Sequence, residues 1–258
     1  RPAAALSARE RHRELPAGDL EGVAPHAPYT AGGELLRGVA RLVAESPRPV
    51  AIHWAETDEE REWLEGARGP FARVLSSSPR ASGLDLIERA GLLGPATALI
   101  HGHRPRGDEV ERVARSGASL VHCPGATRFF GREPFPLAAW RGHGMRPALG
   151  TDSLAGNDAL SMARELRLFR GAHPEVSADE AWAAATVQGA RALGLAGRCG
   201  RLAPEAFADL ALWRLEASSP PGVVEEPTPA EPPCLATWVA GQLRHVDAGC
   251  VWARAPLP

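Results

Sequence analysis

Histidine and aspartate residues end apolar, strand-like runs at four places in this sequence. The runs are RPVAIHWAET, TALIHGH, ASLVHCP and RPALGTDS, which present His53, His101, His122 and Asp152. Imidazole nitrogens and carboxylate oxygens are ligands of the divalent metals that activate water in hydrolytic enzymes. The pattern therefore predicts an enzyme. A fifth run, EGVAPHAPYT, places His26 in the same series.

A parallel sheet is the element that could bring these residues together. After HAPYT, residues 31–46 carry an apolar stripe at helical spacing, and TDEEREWLEG has the cap and acidic first turn of a helix start. Continuous apolar strands that alternate with helices indicate a parallel sheet covered on both faces. Because the strand ends of a parallel barrel open at one mouth, we expect His53, His101 and Asp152 to converge.

The number of strand and helix units limits which parallel folds the chain can form. Five such units can be counted from the strand-end residues, whereas a closed barrel of this type has eight. We predict an α/β fold, an incomplete (β/α)8 TIM-type barrel that corresponds to about strands 4 to 8, with a small β portion at the C-terminus. An open sheet is the alternative.

Two features of the chain suggest its domain limits. Beyond Leu195, short strand patterns are separated by a stretch rich in Pro and Glu, so we predict the barrel over 1–197 and a small β portion over 198–258. The opening RPAAALSARERHRELPAGDL has a helix-like pattern and no initiator methionine. We therefore expect a fragment that lacks its N-terminal part.

Composition excludes several classes of partner. The formal net charge is −2, lysine is absent, and no basic stretch contains interleaved aromatic residues, so we expect no nucleic-acid partner. No apolar run approaches the roughly 18 residues of a spanning helix, so no membrane partner is expected. The four cysteines lack CxxC spacing, which favours a reducing cytoplasm over a disulfide framework. The expected partner is a small-molecule substrate, and a homo-oligomer stays open.

Taken in order, HAPYT, HWAET, IHGH, HCP and GTDS resemble the metal-dependent amidohydrolase superfamily, in its branch of adenosine-type and S-adenosylhomocysteine deaminases. The resemblance extends over most of the chain, including its GRLAPEAFADLAL segment, and implies that residues 198–258 are the C-terminal part of a small β-sandwich domain. It implies a divalent metal, zinc or iron, with His53 and Asp152 as ligands. Asp152 would also take a proton from the activated water. The alternative interpretations are a core histidine and a helix N-cap.

The same resemblance implies roles for other residues. Glu56 would pass a proton to the substrate ring, and His101 would orient or stabilise the attacking water. A helix-start acid and a core histidine are the respective alternatives. His26 and His122 would contact substrate, although a turn residue and a strand cap fit them almost as well. His103 is a weaker candidate than His101.

The loop HCPGATRFFGREPFP bears on the substrate. It is similar to aminodeoxyfutalosine deaminases of menaquinone biosynthesis, in which Phe-Phe-Gly follows this strand, so Phe129 and Phe130 are predicted to bind substrate. Both could instead anchor the loop, because aromatic stacking on a purine is chemically nonspecific. The predicted activity is hydrolytic deamination of an amino-purine nucleoside. A chlorohydrolase or a cyclic-amide hydrolase is the alternative.

The metal ligands depart from the family pattern. The family supplies two further ligands from an HxH pair after its first barrel strand, and no such pair precedes His26. The HxH pair of this sequence is His101 with His103, after a later strand. Two protein ligands are fewer than the three usual in catalytic zinc sites. We therefore expect this chain alone to be inactive, and a non-catalytic remnant is a further alternative.

Overall fold

The computed structural model describes residues 21–214 and 233–247. Their contacts divide this part of the chain into two compact units. The first unit contains 21–122, 135–147 and 192–194, and the second contains the remaining described residues. The helix-like opening over residues 1–20 lies outside the described residues, as does most of the stretch rich in Pro and Glu.

Helices and short strands alternate over most of the described chain. In order they are α1 (Pro28–Glu45), β1 (Val50–Trp54), α2 (Asp58–Gly66), a 3-10 helix (Pro70–Arg73), α3 (Gly83–Arg89), β2 (Thr97–His101), α4 (Glu109–Ser116), β3 (Ser119–His122), α5 (Pro124–Phe129), α6 (Leu137–Gly142), β4 (Ala148–Leu149), α7 (Met162–Ala172), α8 (Ala178–Ala185), α9 (Val187–Ala192), β5 (Leu210–Trp213), β6 (Cys234–Val239) and β7 (Gln242–Val246). Among the described residues, no helix is both long and apolar enough to cross a membrane.

The first unit is built on a parallel sheet. Strand β2 pairs with both β1 and β3, and the register sets Ile52 beside Leu99 and Leu99 beside Leu120. All three side chains are buried in the core. Val23 forms a further parallel bridge to Val50. The carboxyl ends of these segments therefore lie along one edge, and the predicted parallel α/β fold is confirmed.

The second unit contains strand β4, four helices and a separate antiparallel sheet. In that sheet β6 lies between β5 and β7. Ala236 is fully buried in it, and Leu212 and Trp238 pack against Ala236. A β portion near the C-terminus was predicted. The boundary between 197 and 198 stays a prediction.

Local sequence signals explain where two helices begin. Thr57 caps α2, with its Oγ1 accepting the backbone N–H of Glu60 at 3.2 Å. The segment after His122, expected to be a long loop, begins with helix α5. Pro124 is in the first turn of α5, where a missing N–H costs no helical hydrogen bond.

Candidate active site

A row of histidine rings lies at the carboxyl-end edge of the sheet in the first unit. Ring centroids are 5.1 Å apart for His26 and His53, and 5.3 Å apart for His53 and His101. The row continues through His103, 6.4 Å from His101, to His122, 5.3 Å from His103. Four of these residues were predicted from the strand ends, and the fold brings them side by side. We call these five residues the histidine row.

A hydrogen bond indicates which nitrogen of the His53 ring is the donor. Its Nδ1 lies 2.9 Å from the carbonyl oxygen of His26, which also accepts the backbone N–H of His53 at 2.7 Å. A carbonyl oxygen can only accept, so Nδ1 is the donor, and the lone pair of the corresponding neutral tautomer is on Nε2. A histidine that ligates a metal is usually prepared in this way. His53 therefore fits the role of a metal ligand through Nε2.

The HGH segment forms a tight turn at the end of β2. His101 has a φ of 78° and Gly102 has a φ of 60°. A positive φ is uncommon for a residue with a side chain, such as His101, and such residues often occur at functional sites. A Cβ on Gly102 would lie 2.6 Å from Leu120 and 3.1 Å from Trp140. Glycine is therefore required between the two histidines, and the turn buries both His101 and His103.

Glu56 and His101 form a close pair. Glu56 Oε1 lies 3.3 Å from His101 Nε2, and the side chains are 18% and 1% exposed. An imidazole and a carboxylate at this distance attract each other as an ion pair when the imidazole carries a proton. Shielding from water strengthens their electrostatic interaction. The two residues predicted to act on the proton and on the water are therefore neighbours.

Glu60 belongs to the same site, although the sequence analysis missed it. Its side chain is buried, and its carboxylate accepts the backbone N–H groups of Ala55 at 3.3 Å and Glu56 at 2.9 Å. Burial raises the pKa of Glu60 to about 7, and the nearby charge of Glu56 adds to the effect. A glutamate three residues after the Thr57 cap is the capping-box pattern, a signal that could have identified it.

The raised pKa of Glu60 predicts how stability depends on pH. The folded chain binds the Glu60 proton more tightly than the unfolded chain, whose pKa is near 4.5. Folding therefore binds protons between about pH 4.5 and pH 7, and stability falls as pH rises through this window. The contribution lost is about 3 kcal/mol.

Urea unfolding at about pH 5 and pH 8 measures this contribution. The unfolding free energy of wild type should fall between about pH 5 and pH 8. In Glu60→Gln this fall should be smaller by up to about 3 kcal/mol. Glu59→Gln is a matched control, because Glu59 is the exposed neighbour in the same helical turn. Equal losses in wild type and Glu60→Gln would show that Glu60 titrates normally.

Asp152, Phe129 and Phe130 belong to the second unit. Asp152 has a φ of 58°, and its Oδ1 accepts the backbone N–H of Ser153 at 2.8 Å. Phe129 and Phe130 are about half exposed and meet edge to face with centroids 5.1 Å apart. The guanidinium of Arg132 lies 4.3 Å from the Phe130 ring centroid. Convergence of Asp152 with the histidine row stays a prediction.

A buried carboxylate organises the loops of the second unit. Glu165 accepts the backbone N–H of Gly125 at 2.6 Å and the Asn157 amide at 2.8 Å. Asn157 also donates to the carbonyl oxygen of Thr151 at 2.6 Å. Burial raises the pKa of Glu165. This network therefore ties the segment after β3 to the backbone beside Asp152.

Comparison with known proteins shows the family of this chain. A model of the amidohydrolase family matches residues 4–244. The 5-methylthioadenosine/S-adenosylhomocysteine deaminase of Pyrococcus abyssi is 31% identical over 197 residues, which are 74% of this chain and 43% of that protein. The aminodeoxyfutalosine deaminase of Deinococcus radiodurans is 30% identical over 211 residues, with 74% of this chain and 50% of that protein covered. The chain thus spans about half the length of these curated relatives.

A solved structure has a similar fold. The structure of an adenosine deaminase from Xanthomonas campestris with bound zinc superimposes with a TM-score of 0.75 at 27% sequence identity. The match covers 93% of this chain and 56% of the other.

Proposed function

This chain belongs to the amidohydrolase family, and we propose that it carries catalytic residues of a metal-dependent deaminase acting on an amino-purine nucleoside. The observation that carries the proposal is the arrangement within the histidine row. His53 presents an Nε2 lone pair, and the Glu56–His101 pair lies beside it. The names of the relatives and of the solved structure, which are deaminases of adenosine-type compounds, support the class of substrate.

Zinc or iron would be held by His53 Nε2 and the Asp152 carboxylate. The donor set fits such an ion, because imidazole suits both metals and the Nδ1 hydrogen bond leaves Nε2 to bind. When bound, a divalent metal supplies Lewis-acid activation that lowers the pKa of water toward about 7.

The residues of the chain would then move protons. Asp152 accepts a proton from the attacking water, whose oxygen bonds to the ring carbon that carries the amino group. Glu56 donates a proton to the adjacent ring nitrogen, and His101 donates a hydrogen bond to the added oxygen. The carbon–nitrogen bond breaks as the leaving nitrogen takes up the proton held by Asp152. The added oxygen returns its remaining proton to Glu56 and becomes the carbonyl oxygen of the ring. The products are ammonia and the oxo-purine.

Substrate contacts would come from His26 and His122, and from Phe129 and Phe130, whose exposed rings could stack on a purine. We propose aminodeoxyfutalosine as one substrate, which would place the protein in menaquinone biosynthesis. The Deinococcus relative supports this choice. Methylthioadenosine and S-adenosylhomocysteine are supported in the same way by the Pyrococcus relative.

Ammonia release tests the proposal. Full-length protein loaded with zinc or iron is incubated with aminodeoxyfutalosine, methylthioadenosine, S-adenosylhomocysteine and adenosine, and with a chlorinated triazine as the competing substrate class. We expect ammonia in equal amount to an oxo-purine product from at least one nucleoside. Chloride release from the triazine, without ammonia from any nucleoside, would support the chlorohydrolase alternative instead.

A further inference from the structure

The chain leaves strand β1 through a backbone turn that is unfavourable by itself. Ala55, the residue between Trp54 and Glu56, has a φ of 51°. This left-handed conformation is disfavoured for residues that carry a Cβ, and nothing in the alanine side chain compensates for it. Other groups must therefore hold the turn in place.

Hydrogen bonds hold the turn on two sides. On one side, the two carboxylate oxygens of Glu60 accept the N–H groups of Ala55 and Glu56 separately, at 3.3 Å and 2.9 Å. On the other side, the carbonyl oxygen of Ala55 accepts the backbone N–H groups of His103 and Arg104, both at 2.9 Å. We call the contact of Glu60 with the two amides the carboxylate clamp.

Bulk water cannot readily replace Glu60 as the acceptor for the two amide N–H groups. Glu60 is 3% exposed and Ala55 is 6% exposed. The carboxylate borders a small cavity that is also lined by Trp54, Leu64 and Gly83. Buried amide groups that lose their acceptor pay a desolvation penalty, so the turn would rearrange if Glu60 were replaced.

We propose that Glu60 is a positioning residue whose ionised carboxylate holds the Ala55–Glu56 turn, so that the Glu56 carboxylate lies within ion-pair distance of His101. The inference deepens the proposed function, on which its kinetic part rests. It assigns a role to a residue outside the group that would touch substrate or metal. The distance that the clamp sets is the 3.3 Å between Glu56 Oε1 and His101 Nε2.

Protonation should weaken the clamp. A protonated carboxyl turns one acceptor oxygen into a donor, which then faces an amide N–H. The pKa of about 7 means that the clamp is complete only above neutral pH. The charged groups that face Glu60 are Glu56 and Arg61, and Glu65 lines the same cavity. Burial of the ionised form costs folding stability, so the protein would hold Glu56 in place at the expense of stability.

Glu60→Gln tests the proposal, with Glu59→Gln as control. We measure kcat and KM from about pH 5 to pH 9, and amide hydrogen exchange of Ala55 and Glu56. Glu60→Gln should lower kcat above pH 7 by about tenfold to a hundredfold, the usual effect of a small misplacement, with KM within about twofold. The decline of kcat below neutral pH should be shallower in this variant than in wild type, and exchange of both amides should be faster. Glu59→Gln should change none of these.

The outcomes separate the two proposals. Unchanged exchange of the two amides, or faster exchange with unchanged kcat, would overturn the positioning role. If wild type releases no ammonia, the proposed function fails, and the exchange data alone decide whether the clamp exists. If Glu60→Gln does not fold, Glu60→Asp is used, which keeps the charge and shortens the side chain. It should speed exchange of at least one of the two amides, and normal exchange with normal kcat would overturn the role.

Discussion

Glu56→Gln should lower kcat by about 10² or more, the usual contribution of a positioned acid or base, while the metal content stays near that of wild type. Glutamine keeps the size of the side chain and can accept a hydrogen bond, but it cannot deliver a proton. The loss should therefore appear in the chemical step. The measurement combines steady-state kinetics on the best nucleoside substrate with elemental analysis of the same sample.

The control for this variant is Glu59→Gln, which removes an exposed carboxylate three residues away. It should retain both turnover and metal. Unchanged turnover in Glu56→Gln would make Glu56 a helix-start acid, whose charge only favours the beginning of α2. Loss of metal together with turnover would instead make Glu56 part of the metal site.

His53→Ala should remove the metal and the activity together. Loss of an outer-shell partner of a ligand typically weakens metal binding by about 10- to 100-fold, and loss of the ligand itself should cost at least about 100-fold. The expected result is a metal content near zero after dialysis against a weak chelator. Turnover should fall in proportion to the metal lost, and excess zinc should restore little of it.

His143→Ala is the matched control, because His143 is an exposed histidine of the same unit and lies just after α6. This variant should bind metal as wild type does. Normal metal content in His53→Ala would show that His53 is a core histidine of the kind that the sequence left open. The ligand role of Nε2 would then be wrong.

The placement of the strand-end histidines could be predicted, because the direction of the strands determines at which edge of the sheet they lie. The carboxyl ends of parallel strands share one edge, so polar residues that end apolar runs meet there. His53, His101 and His122 follow this rule, and the pairing of β1, β2 and β3 shows why. The apolar runs themselves carried the signal, since strands buried on both faces are continuously apolar.

Contacts that depend on backbone turns could not be predicted in this way. Glu60 reaches the amides of Ala55 and Glu56 because Ala55 adopts a left-handed conformation, and alanine gives no sequence sign of it. His122 stacks on Phe135 with centroids 4.2 Å apart, across a segment whose course no local pattern specifies. Periodicity reports which face of an element is buried, but not which distant residue covers it.

Diffraction at the zinc absorption edge, from crystals of the zinc-loaded protein, tests the central claim most directly. We predict an anomalous peak within bonding distance of His53 Nε2 and of an Asp152 carboxylate oxygen. The Glu56–His101 pair should lie beside the peak. Neither His101 Nδ1 nor the Glu56 carboxylate should bind the metal in place of His53 or Asp152. A peak bound elsewhere, or a His53 ring whose Nε2 faces no metal in fully loaded crystals, would contradict the account.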